Sequence, residues 1–128
     1  MVTVGARVLN SFNPQPIGKK ICEQIARHFK QTRQTRYWIA IAYYSPDDCY
    51  NLFFNSRRPH HWQRSWPIAI LNDLEFDELI AVLNVIRQQY HFTFEYSGFN
   101  HLELDRLQHE VKRWQLTSPI KTAILITI

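Results

Sequence analysis

Residues 57–66 read Arg-Arg-Pro-His-His-Trp-Gln-Arg-Ser-Trp: three guanidinium groups, two imidazoles and two indoles, with no carboxylate among them. Each group has a use against a polyanion. Arg57, Arg58 and Arg64 can neutralise phosphates. Trp62 and Trp66 can stack on unpaired bases, and His60 and His61 can bear charge or carry protons. A second cationic set lies upstream. Ile17, Ile21, Ile25 and Phe29 recur every four residues, with Cys22 and Ala26 beside them, which predicts a helix over 16–33. Lys19, Lys20, Arg27, Lys30 and Arg33 fall away from that stripe, so the exposed face of the helix is basic; Arg36 follows it. Gln31, Gln34 and Gln63 could add neutral hydrogen bonds.

These sets belong to an uneven chain. Residues 1–66 hold ten Lys/Arg and three Asp/Glu, whereas residues 67–128 hold five and eight. The acids have local explanations at helix starts and on helix faces. The cations of 57–66 have none, and a concentrated positive field usually faces a polyanion or an acidic partner. The first expectation is therefore a polyanion-binding protein, its ligand single-stranded or structured nucleic acid. The contacts would come from Lys19, Lys20, Arg27, Lys30, Arg57, Arg58, His60, His61, Trp62 and Arg64. The signal is compositional: no RNP-type aromatic run, GXXG loop or zinc-finger spacing is present. The second expectation is a regulatory or assembly protein that docks an acidic protein partner.

Catalysis is harder to read. Only three glycines occur, so there is no Gly-rich phosphate loop and no glycine-framed serine elbow. Adjacent His60 and His61 rarely ligate one ion, and His101 and His109 are eight apart rather than the three or four that share a helix face. No metal and no cofactor are expected. Pro46-Asp47-Asp48 could open a metal-dependent nuclease pattern, but no acid followed two residues on by lysine appears on a following strand. Turn chemistry accounts for it better. A third expectation, a metal-independent ribonuclease, would use His60 or His61 with Arg57, Arg58 and a tyrosine such as Tyr50. No residue pattern specifies a reaction, so no catalytic residue is assigned.

The elements that must position these groups follow from periodicity and turn chemistry. The sequence predicts strands at 2–9, 37–44, 50–54, 66–71, 91–96 and 122–128, and helices at 16–33, 73–90 and 101–115. Residues 37–55 read as a hairpin about Ser45-Pro46-Asp47-Asp48, and the near-continuous apolar run 37–44 implies a central strand. Asn72 with Glu75, and Asn100 with Glu103, have capping-box spacing. Pro67 would confine its strand to an edge or a strand start. The order β-α-β-β-β-α-β-α-β implies an α+β fold with a mixed, largely antiparallel sheet and about three helices.

At 128 residues and 45% hydrophobic content the chain suits a single domain spanning 1–128. It shows no signal-peptide layout and no apolar run near the roughly 20 residues needed to cross a bilayer, so a soluble cytoplasmic protein is expected, with no membrane partner. Cys22 and Cys49 read as free, buried thiols. The uncharged segment 122–128 either takes a central place in the sheet or pairs along an edge with a second copy, giving a homodimer.

Overall fold

The computed structural model describes residues 2–4 and 12–112. Its elements are β1 (Val2–Val4), α1 (Pro14–His28), β2 (Arg36–Tyr44), β3 (Cys49–Arg57), β4 (Arg64–Asn72), α2 (Phe76–Gln89), β5 (Thr93–Ser97) and α3 (His101–Glu110), with one 3-10 turn at Ser45–Asp47. They form an α+β fold. The sheet runs β1-β4-β3-β2-β5, with β3 antiparallel to β2 and β4, and the outer strands β1 and β5 parallel to their neighbours. The expected strand at 122–128, and the edge pairing built on it, lie outside the described residues. So do 5–9 of the first strand and 113–115 of the last helix.

One face of the sheet carries the core. Ile21, Cys22 and Ile25 of α1 and Leu79, Val82, Leu83 and Ile86 of α2 are buried with Ile39, Ile41, Leu52, Phe54, Ile68 and Leu71 of the sheet. The two helices meet at Gly18, where any Cβ would overlap the Val85 side chain, so glycine sets how closely they approach. Asn84 of α2 fastens the end of α3: its Nδ2 donates to the Glu110 carbonyl at 3.1 Å, and its Oδ1 accepts from Lys112 N–H at 2.7 Å. The cysteines are free and buried, as their sequence context suggests.

The element boundaries differ from expectation in ways that matter for the site. Helix α1 starts earlier, because Asn13 accepts a hydrogen bond from Gln15 N–H at 3.0 Å and Pro14 fills the first helical turn. It also ends earlier, at His28, because Phe29 turns to extended backbone and packs edge-on against Tyr37, Phe54, Tyr90 and Phe92. Lys30 and Arg33 are therefore loop residues rather than members of the helix face. The cap of α2 lies three residues later than the sequence suggests. Asn72 pairs with Cys49 at the end of β4, and the capping box is Glu75 with Glu78, whose carboxylate accepts from Glu75 N–H at 2.9 Å. Asn100 and Glu103 do cap α3 reciprocally, at 2.8 and 3.1 Å.

Strand β4 lies inside the sheet, not at an edge, yet it contains Pro67. A bulge between Leu52 and Phe53 absorbs it, and β1 pairs with β4 only from Ala69 onward. On the β1 side of Pro67, then, no ladder bond is needed from the described strands. The hairpin strands β3 and β4 also run longer than expected, which places Arg57 and Arg64 within strands.

A basic cleft with an exposed indole

A cleft of about 490 Å³ opens at the end of the sheet where α1 stops, β2 starts, β3 ends and β4 begins. The end of α1 supplies Arg27 and His28, and the loop after it supplies Lys30, Thr32 and Thr35. Tyr37 and Ser56 line it from β2 and β3. The connection between β3 and β4 supplies Arg58, His61 and Trp62, and β4 supplies Arg64 and Trp66. No carboxylate lines it.

Local chemistry shapes each wall. In the connection Arg58-Pro59-His60-His61, the His61 N–H donates to the Arg58 carbonyl at 3.1 Å, and His60 has a φ of 64°. Proline second and positive φ third is the pattern of a type II turn. That turn spends His60 on backbone geometry and projects Trp62, which is 93% exposed. Trp66, in contrast, is half-buried. It stacks on His28 at 4.9 Å with ring planes 18° apart, and on Phe54 at 6.0 Å. Opposite, the Thr32 and Thr35 hydroxyls share a 2.6 Å hydrogen bond, and the Tyr37 hydroxyl donates to the Lys30 carbonyl, which holds the loop after α1 against β2. Arg27 and His28 also sit where cations favour the C-terminal end of a helix, so part of their placement serves α1 itself.

The cleft brings together Arg27, Lys30, Arg58, His61, Trp62 and Arg64 of the residues singled out by sequence. It leaves out four. Lys19 and Lys20 are exposed on α1, and Lys20 lies two turns, about 10 Å, before Arg27. Arg57 follows Ser56 in β3, so its side chain takes the opposite face of the sheet, where it is the cross-strand partner of Arg36. His60 is exposed at the turn but does not line the cleft. Sequence reasoning missed His28, Thr32, Thr35, Tyr37 and Ser56. His28 alone carried a signal, as a histidine at helical spacing from Ile21 and Ile25 on the apolar side of α1; the others are ordinary strand and loop residues until the fold converges them.

Arg36 also has a place on the far face, its guanidinium 4.7 Å from the Trp38 ring centre. Tyr50, considered with the histidines above, belongs to the other end of β3. There it packs on Tyr43 and Phe99, and burial pushes its hydroxyl pKa up to about 12. Among the described residues no helix is long and apolar enough to cross a membrane. The chain matches no protein-family model, no curated protein and no solved structure.

Proposed function

We propose that this chain binds single-stranded nucleic acid in the basic cleft. The observation that carries the reading is Trp62: a nearly fully exposed indole at a cleft lined by Arg27, Lys30, Arg58 and Arg64, without a carboxylate. An indole left in water has no folding role to explain it, whereas a base stacked on it beside neutralised phosphates is the usual arrangement in single-strand grooves. Bases inside a duplex stay stacked on their neighbours and offer no free face to that surface. The two unbridged thiols suit a reducing compartment, and the reading includes a cytoplasmic location.

Gel-shift and anisotropy measurements with matched single- and double-stranded oligonucleotides at low salt test this. Single strands bind more tightly than duplexes, and Trp62→Ala weakens single-strand binding by about 1–3 kcal/mol while the urea midpoint stays unchanged. Binding that survives Trp62→Ala intact removes the stacking argument. No binding to any oligonucleotide removes the reading and leaves the acidic protein partner as the ligand to seek.

A further inference from the structure

We propose that the cleft also cleaves RNA, by attack of a ribose 2′-hydroxyl on the adjacent phosphate, with His28 and His61 carrying the protons. The activity goes beyond binding and rests on the nucleic-acid reading above. His28 comes from the end of α1 and His61 from the turn between β3 and β4, thirty-three residues later in the chain, yet both line one cleft. Neither imidazole has a hydrogen-bond partner among the described residues, whereas the His109 ring lies 2.7 Å from the Asp105 carbonyl oxygen. The stack on Trp66 occupies one face of the His28 ring. The ring nitrogens lie in the ring plane, so stacking fixes the imidazole without using the atoms that exchange protons.

The reaction needs a base, an acid and positive charge, and the cleft holds all three. One imidazole removes the proton from the 2′-oxygen as that oxygen forms a bond to phosphorus. The bond from phosphorus to the 5′-oxygen of the next nucleotide breaks, and the other imidazole gives that oxygen its proton. The products are a 2′,3′-cyclic phosphate and a 5′-hydroxyl. No oxidation state changes and no co-reactant is consumed. Charge gathered on the non-bridging phosphate oxygens is met by Arg27, Lys30, Arg58 and Arg64, the charged groups that line the cleft. A magnesium-dependent route would call on carboxylates, which the lining lacks. The assignment also changes the residues involved: Arg57 faces the other side of the sheet and Tyr50 the other end, so His28 takes the second role.

The test incubates the protein, with a metal chelator present, with a single-stranded RNA, its all-deoxy counterpart, and the deoxy strand carrying one ribonucleotide. The expected result is cutting of the RNA and of the mixed strand after its ribonucleotide, with a cyclic phosphate seen by mass spectrometry. The rate should follow a bell-shaped pH profile. His28→Ala and His61→Ala each lower that rate by about 10²–10⁴-fold. Binding of the uncleavable deoxy strand reports that the cleft is still folded in each variant, and His61→Ala, in an exposed turn, leaves the Trp66 stack untouched. RNA that is bound but intact overturns the proposal and spares the binding reading. Cutting that persists when His28 and His61 are both replaced by alanine, or that extends to the deoxy strand, also overturns it. If neither strand binds at low salt, both readings fail.

Discussion

Salt dependence offers a direct count of the charges that meet the ligand. Arg27, Lys30, Arg58 and Arg64 line the cleft, and each can neutralise one phosphate. Four neutralised phosphates on a single strand give a slope of log K against log salt of about −2.8. Between about 50 and 200 mM salt that slope lowers affinity about 50-fold. Replacing Arg58 and Arg64 together by alanine leaves two contacts, a slope of about −1.4, and only about a sevenfold loss over the same range. Both side chains are exposed, so the double variant should unfold within about 0.5 kcal/mol of the parent. Arg57→Ala is the internal control: it removes the same charge one residue from Arg58, but on the opposite face of the sheet. The assay is fluorescence anisotropy with a labelled single-stranded oligonucleotide at several salt concentrations. The reasoning is refuted if Arg57→Ala flattens the slope as much as Arg58→Ala does. It is equally refuted if the double variant keeps the parent slope, since the charge would then act as a diffuse field and not as contacts in the cleft.

Two further outcomes concern the scaffold. Gly18→Ala drives a methyl group into Val85 and should destabilise the fold by about 1–3 kcal/mol in urea; adding Val85→Ala should recover part of that loss, and an unchanged midpoint would show that α1 and α2 adjust freely. Burial, and then the charge of Arg87, hold the His91 imidazole below its ordinary pKa of about 6.5. The unfolded chain therefore takes up this proton first as pH falls, and stability declines below about pH 6.5 and recovers above it. His91→Gln should flatten that part of the stability profile, and a profile of unaltered steepness would remove His91 as its cause.

Much of the fold is legible because local signals agree. The alternation of Phe94 and Tyr96, the Asn100–Glu103 cap and the hairpin about Pro46 all have short-range causes, and the structure bears them out. The end of α1 has no such signal. No glycine or proline follows His28; the aromatic cluster around Phe29 stops the helix, and its partners come from β2, β3 and the segment before β5. The α2 cap departs from the sequence pattern for a different reason. Strand pairing with Cys49 takes up Asn72, so the box moves to Glu75 and Glu78, with a glutamate outside the preferred N-cap residues. The site shows the same division. Residue types in 57–66 point to the end of the molecule where the cleft lies, but which arginine enters it depends on strand parity. Parity requires knowing that β3 continues through Arg57. The pairing of His28 with Trp66 joins a helix to a strand and has no trace in either segment.

The pairing register also turns a sequence asymmetry into a spatial one. Arg36, Arg57, Arg58 and Arg64 gather where β2 begins, β3 ends and β4 begins. Asp47 and Asp48 lie at the other end of β2 and β3, and Asp73 follows β4 at that same end. Over the nine residues of β3 the two groups are about 30 Å apart. Among the described residues these side chains thus set up an electric moment along the strands. On the proposed reading, such a moment would exert a torque near an extended row of phosphates, turning the cleft toward them and the acidic end away before any contact forms. The orientation that docking demands would then be partly supplied during approach, raising the rate of productive encounter rather than the lifetime of the complex.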